Sequence, residues 1–313
     1  MANTLTIGTR GSNLALWQAH WVKSEIEKNN PAIGVEIHII KTKGDKILDV
    51  PLAKVGGKGL FVKEIEKALL DGTIDLAVHS MKDMPAEIPD GLTIGAVPDR
   101  ENPLDVFISK DHIPFEKLPR GSVVGTSSLR RASQVKHARP DVTIKTLRGN
   151  IETRLKKLDE GLYDAIILAA AGVLRMKYDD RITEYLPENT LLPAVGQGAL
   201  CIEIRENDSR VSDVVTLLDH DDTRKVVFGE RAFLHRLEGS CQVPVAAHGQ
   251  VNGDNYTLTG LVADLDGATV IKETLTGPIT DSVRLGVTLA ETLLERGANT
   301  ILEQLKENAN EIG

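Results

Sequence analysis

Between Arg120 and Glu160 the chain places ten Lys or Arg residues against four Asp or Glu. That segment therefore carries +6 within a chain of net −8, leaving −14 for the rest. The basic residues follow two turns rich in glycine and hydroxyl groups, Gly125-Thr126-Ser127-Ser128-Leu129-Arg130-Arg131 and Leu147-Arg148-Gly149-Asn150-Ile151-Glu152-Thr153-Arg154. Each turn lies between a β-like run (122–124 and 142–144) and a helix-like run. At such junctions backbone N–H groups, hydroxyls and guanidinium forks converge on one point, a geometry suited to carboxylate or phosphate. A solvated basic helix face would need the charge but not the repeated turn. The chemistry expected is recognition of a small polyanion.

Other residues could transform what these bind. His79-Ser80-Met81-Lys82-Asp83-Met84-Pro85 follows the apolar run Leu76-Ala77-Val78. Ligands of open α/β sheets bind beyond the carboxyl ends of strands, which places Ser80, Lys82 and Asp83 well. A carboxylate there, beside a lysine and near the arginine turns, could manage protons and stabilise cations. Its plainer duty would be to cap the turn before Pro85. Thr9-Arg10-Gly11-Ser12 adds an arginine and a hydroxyl at another strand-to-helix turn. Cys241 stands in Leu237-Glu238-Gly239-Ser240-Cys241-Gln242-Val243-Pro244, where a loop thiol could serve as nucleophile or attachment point or be an inert apolar side chain. Cys201, flanked by Leu200, Ile202 and Ile204, reads as core. Lys54-Val55-Gly56-Gly57-Lys58-Gly59 lacks the Gly-Lys-Ser/Thr ending of a phosphate loop and reads as a lid presenting Lys54 and Lys58. The scattered histidines define no metal site, and no Gly-x-Ser-x-Gly elbow points to a serine hydrolase.

Positioning these residues calls for alternating strands and helices, and the chain supplies them. Strands are expected at 5–7, 35–40, 76–78, 106–108, 165–168 and 200–204, with helices over 14–28 and along the Phe61, Ile65, Ala68, Leu69 stripe. Beyond Asp219-His220-Asp221-Asp222 a helix through Leu237 precedes three strand-like runs (243–250, 256–263, 269–275) and two final helices. The fold class is α/β: two α/β domains and a smaller C-terminal α+β domain with a three-stranded antiparallel sheet. Its divisions are expected at 1–98 with a returning segment 199–218, at 103–193 and at 221–313, in keeping with a chain of 313 residues. Two cysteines are too few for a disulfide framework. The absence of a ~20-residue apolar run or a signal-like start leads to the expectation of a cytoplasmic protein without membrane contact. The acidic balance and the lack of aromatic residues among the arginines argue against nucleic acid as partner.

These motifs in this order resemble the porphobilinogen deaminase (hydroxymethylbilane synthase) family over the whole chain. The matching segments are Thr9-Arg10-Gly11-Ser12 with Leu14-Ala15-Leu16-Trp17-Gln18, Pro51 to Phe61, His79 to Asp83, Gly125 to Arg131, Leu147 to Asn150, Pro193-Ala194-Val195-Gly196-Gln197-Gly198 and Glu238 to Pro244. Asn13 stands where many members have proline, and Ser240 where the common pattern has a second glycine. The resemblance implies two lobes like those of periplasmic solute-binding proteins and a third domain bringing Cys241 to the cleft between them. It implies head-to-tail condensation of four porphobilinogen molecules to hydroxymethylbilane with release of ammonia, on a dipyrromethane cofactor thioether-linked to Cys241. Asp83 would be the catalytic carboxylate, stabilising cationic pyrroles. Arg10, Arg130, Arg131, Arg148, Arg154, Arg175, Lys82 and Ser128 match carboxylate-binding positions. Thr126 and Gly149 join the cofactor-binding set, and Ser12, Gln18 and Gln197 the substrate-binding set. The enzyme would be a monomer. The competing expectation is a cytoplasmic solute-binding or sensory protein for a small polyanion, with no chemistry.

Overall fold

The computed structural model describes residues 3–46, 59, 62–237 and 243–311; Lys54, Lys58 and Cys241 lie outside them. The chain begins with β1 (Asn3–Thr9), α1 (Asn13–Asn29), β2 (Ile33–Ile39), a one-turn α2 (Lys43–Lys46), α3 (Lys63–Leu70), β3 (Leu76–Ser80) and β4 (Leu92–Ala96). It continues with β5 (Asp105–Ser109), β6 (Val123–Gly125), α4 (Leu129–Ala138), β7 (Thr143–Lys145), α5 (Ile151–Asp159), β8 (Ala165–Ala169), α6 (Ala170–Arg175) and β9 (Glu184–Leu186). The remainder is β10 (Leu200–Arg205), α7 (Ser209–Val215), α8 (Asp221–Arg236), β11 (Val245–Asn252), β12 (Asn255–Ala263), β13 (Val270–Pro278), α9 (Ser282–Leu293) and α10 (Asn299–Glu311).

Three sheets result, ordered β2-β1-β3-β10-β4, β7-β6-β8-β5-β9 and β11-β12-β13. The first two are built alike. Three strands run parallel, and a fourth, β10 or β5, inserts antiparallel between the last of them and an edge strand. Every residue of β5 is buried, as expected of a strand covered on both faces, so its sequence shows no alternation. β13 alternates half-buried and exposed residues because one face meets solvent. β4 and β9 were not anticipated. β4 alternates buried and half-buried positions directly after Gly91, and β9 is only three residues long, too short to carry a periodic signal. On α1 the apolar stripe Ala19, Val22, Ile26 is buried against the first sheet, which fixes the helix beside β1 and β3.

The chain crosses between the first two sheets twice, once before β5 and once before β10. The crossings touch: Gly198, at φ +90°, lies so close to the first crossing that a Cβ would stand 2.3 Å from the Glu101 carbonyl oxygen. Because β5 and β10 run antiparallel to their neighbours, each begins at the edge where the parallel strands end. Asp105 pairs with Ala169, the last residue of β8, and Leu200 with Ser80, the last of β3. The carboxyl ends of β1, β3, β6 and β8 and both crossings therefore meet at one locus, the topological position where such sheets bind ligands.

Candidate active site

On the side of the first sheet, Arg10 directly follows β1, and Ser12 caps α1 by accepting the Ala15 N–H at 3.3 Å. Gln18 is buried and donates to Ser80 Oγ at 2.9 Å. A single tight turn after β3, Met81–Asp83, leaves Lys82 half-buried and Asp83 exposed. Arg10, Ser12, Gln18, Ser80 and Asp83 line one cleft. The residues expected there from the sequence are thus brought together.

Both arginine turns of the second sheet are strand-to-helix junctions with capped helices. Ser128 Oγ accepts the Arg131 N–H at 3.4 Å, and buried Thr126 turns its Oγ1 to the Ser128 N–H at 3.1 Å. Asn150 caps α5 through the Thr153 N–H at 2.8 Å, a cap typically worth about 1 kcal/mol. Gly149 takes φ +119°, and a Cβ there would meet Thr153 Cγ2 at 2.6 Å, so glycine is required for the backbone to turn into α5. Arg154 Nε donates to the Gly149 carbonyl at 2.7 Å, bringing its guanidinium back over the turn.

Arg130 and Arg131 are directed to a partner the sequence did not reveal. Asp105, completely buried, accepts Arg130 Nη1 on Oδ2 at 2.7 Å and Arg131 Nη2 and Nε on Oδ1 at 2.7 and 2.9 Å. The same arginines donate to the carbonyls of Leu192 and Ile167. Gln197, also fully buried, donates from Nε2 to Asp105 Oδ1 at 3.1 Å and to the Pro103 carbonyl at 2.7 Å, while its Oε1 accepts Lys82 Nζ at 3.3 Å. A continuous chain of hydrogen bonds therefore joins Lys82 on the first sheet to both arginines on the second. Arg175 is buried, stacks over Trp17 at 5.6 Å and donates to the Gly198 carbonyl at 2.8 Å, so it ties α1 to the second crossing. Beneath the site, buried Glu230 pairs with Arg100 at 2.6 Å and accepts the Gly196 N–H, and buried His79 bonds Glu203 at 3.0 Å. Asp105, Glu203 and Glu230 were all missed. For Asp105 and Glu203 a signal was present, an acid abutting or inside an apolar strand.

The electrostatics record an excess of positive charge. Burial, then Arg131, brings the Lys82 ammonium down to about 8, with Asp83 and Asp105 opposing the shift. Burial, then Arg131 and Arg148, brings Arg154 down to about 10, again opposed by Asp83. Burial alone would raise Asp105, yet Arg130 and Arg131 outweigh it and hold the carboxyl at about 2. Cations close enough to perturb one another, with Asp83 acting on both Lys82 and Arg154, fit a ligand carrying several carboxylates. The Lys82 value has a measurable consequence. Its positive charge is present below about pH 8 and is lost above it, so KM for an anionic substrate should rise above pH 8, and Lys82→Gln should abolish that inflection while raising KM about tenfold at pH 7. A KM profile across pH 6.5–9.5 that is identical in parent and variant would contradict the assignment.

No group of three or more His, Cys, Asp or Glu among the described residues is arranged to hold a metal ion, and none of their helices is long and apolar enough to cross a membrane.

A cluster of cations beside the exposed carboxylate of Asp83, near the crossings between two mixed α/β sheets, has the chemistry of a site for a polyanionic ligand. Residues 5–213 match the family described as "Porphobilinogen deaminase, dipyromethane cofactor binding domain", and residues 225–295 match "Porphobilinogen deaminase, C-terminal domain". The chain is 55% identical to the porphobilinogen deaminase of Geobacter sulfurreducens over 303 residues, 97% of this chain and 95% of the relative. It is 54% identical to that of Syntrophotalea carbinolica, over 97% of this chain and 96% of the relative. The chain belongs to the porphobilinogen deaminase family. Among solved structures it is similar to the methionine-binding protein MetQ, with a TM-score of 0.46 and 13% identity over 72% of this chain and 94% of that one. At that score and identity the likeness carries no functional inference, and the solute-binding alternative has no other support.

Proposed function

We propose that this protein is a hydroxymethylbilane synthase, condensing four porphobilinogen molecules head to tail with release of ammonia in tetrapyrrole biosynthesis. The observation that carries the reading is a cluster of cations, Lys82 with Arg131 and Arg154 with Arg131 and Arg148, in which Asp83 acts on both Lys82 and Arg154, in a chain 55% identical to a porphobilinogen deaminase. Dipyrromethane, attached through Cys241, supplies when bound the pyrrole end onto which substrate units are added and from which the product is hydrolysed. The site fits that group, because buried cations set close to one another beside the Gly149 turn suit a small molecule bearing several carboxylates. Lys82, Asp83, Thr126, Ser128, Arg130, Arg131, Arg148 and Gly149 would hold the cofactor, the arginine pair being held in turn by Asp105, while Arg148 and Arg154 would also meet the substrate. Arg10, Ser12, Gln18, Arg175 and Gln197 form the face that receives substrate.

Asp83 lies where the aminomethyl group of the substrate must leave. Its fixed negative charge stabilises positive charge developing on the pyrrole ring as ammonia departs, and its oxygen can accept a proton released later. Residues 1–98 with 199–218, residues 103–193 and residues 221–313 serve as the three domains. The protein acts as a cytoplasmic monomer without nucleic-acid, membrane or metal partners.

Incubation with porphobilinogen should consume it and release ammonia, and the purified protein should give a pink-to-violet colour with Ehrlich's reagent. Substrate untouched and no colour would leave only a binding protein. The arginines should also fail at different stages. Arg148→Leu, at the cofactor turn, should block cofactor assembly or the first addition, and so should Arg131→Leu, which strips Asp105 of a partner. Arg175→Leu, which frees the second crossing, should slow later additions by about tenfold. Native mass spectrometry of enzyme–intermediate complexes separates these outcomes, and one common pattern for all three would reduce the arginines to a diffuse field.

A further inference from the structure

Arg130 and Arg131 are consecutive on α4, so their side chains leave the helix about 100° apart. Both nevertheless end on one carboxylate. Asp105 Oδ1 receives donors from Arg131 Nε, Arg131 Nη2, Arg130 Nη2 and Gln197 Nε2, and Oδ2 receives Arg130 Nη1. The two guanidiniums are 5% and 6% exposed and the aspartate not at all, so none of the three charges can be satisfied by water. The carboxylate sits on the first residue of β5, at the end of the first crossing. Its third donor residue, Gln197, sits on the second crossing and holds Lys82 with its other end. One buried anion is thus the common anchor of three cations drawn from both sheets.

We propose that Asp105 is a positioning residue for the condensation, fixing the arginine pair directly and Lys82 through the Gln197 amide into a single prearranged carboxylate-binding array. It touches no substrate. Its role is to set where the remaining N–H groups of the pair and the Lys82 ammonium stand before a ligand arrives, and to keep three like charges compatible within one cluster. The charged groups facing Lys82 are Arg130 and Arg131 from α4, Asp83 from its own turn and Asp105 from β5. Removing the Asp105 charge takes away one of the two anions that favour the ammonium form, so Lys82 must lose its proton at lower pH. A residue that merely glued the sheets together would move the melting temperature but leave KM unchanged in a folded variant that keeps the charge, whereas displacing a positioning residue raises KM even when Asp105→Glu restores the charge.

The test uses the full-length purified protein carrying Asp105→Asn or Asp105→Glu. The proposal rests on the synthase reading only in its kinetic arm, because the Lys82 titration is followed separately, by competitive acetic-anhydride labelling at increasing pH and peptide mass spectrometry. The melting temperature is recorded for each variant. For Asp105→Asn the Lys82 labelling midpoint should fall below that of the parent, and kcat/KM for porphobilinogen should drop about 100-fold, mostly through KM. Asp105→Glu restores the charge but shifts it by one methylene, so the midpoint should return towards the parent while kcat/KM stays reduced at least tenfold. If Asp105→Asn does not fold, Gln197→Met cuts the relay alone and should raise KM about tenfold, with the Lys82 midpoint again displaced. An unmoved midpoint, or kcat/KM within twofold of the parent in a folded variant, overturns the proposal. Normal Lys82 titration shifts in a protein that never consumes porphobilinogen would keep the array and remove the synthase reading.

Discussion

Asp83→Asn is expected to fold, to retain its bound cofactor and to turn over at least ~100-fold more slowly than the parent. The turn that carries Asp83 is closed by backbone, with Met84 N–H donating to the Met81 carbonyl at 3.1 Å and Met81 N–H to the Ala199 carbonyl at 3.0 Å. No capping by the aspartate side chain is needed for that turn, which answers the structural alternative raised by Pro85. Asp83 is exposed, and an exposed substitution of this size changes stability by about 0.5 kcal/mol or less. The charge is what the proposed role requires: Asp83 favours the cationic forms of Lys82 and Arg154, and in the proposed function it would stabilise a pyrrole as it becomes cationic. Removing one well-placed group of this kind typically costs about 3–4 kcal/mol in the transition state. Asp83→Glu keeps the charge with displaced geometry, so it should retain partial activity and accumulate intermediates. Turnover and melting temperature measured together decide the matter. Near-parental turnover in Asp83→Asn, or inactivity explained entirely by unfolding, would sink the catalytic assignment.

The second large effect is expected at the cysteines. Cys241→Ala should abolish turnover and lose a mass corresponding to two linked pyrrole units, whereas Cys201→Ala should keep both the adduct and the activity. The asymmetry follows from Cys201. It is completely buried in β10 among Val62, Met81, Met84, Ile94 and Val97, which leaves no exposed sulfur for a pyrrole to meet. Burial and the neighbouring Glu203 push its thiol well above the usual range, so the nucleophilic thiolate is suppressed. Cys201→Ala should cost only about 1 kcal/mol of stability from lost packing. Intact-protein mass spectrometry of both variants is the check, and an adduct that follows Cys201 would reverse the assignment.

How much of the site could be read beforehand depends on how far apart the interacting residues lie. The capped junctions were legible because capping is local: Ser12 reaches Ala15, Ser128 reaches Arg131, and Asn150 reaches Thr153, each three residues away. Hydroxyl, glycine and apolar spacing therefore disclosed which strand ends carry Arg10, Lys82, Asp83, Arg148 and Arg154. The resemblance to a known family added the chemistry those ends perform. β4, β9 and the edges of β11 and β13 were blurred, since short or one-sided strands leave weak periodicity and neighbouring strands settle their pairing.

What the residues alone determined is an acidic chain with one cationic, turn-rich segment and a lysine–aspartate pair at a strand end, enough to point to recognition of a small polyanion. What only the tertiary structure decided is where each guanidinium points. Arg130 finds Asp105 across 25 residues, Gln197 finds it across 92, and Arg100 finds Glu230 across 130. An acid abutting an apolar strand marks Asp105 as unusual, but no local pattern says which cation it meets. A buried charge must have a counter-charge because its desolvation costs several kcal/mol, but which one it meets is set by the two crossings that bring β5 and β10 to the ends of the parallel strands.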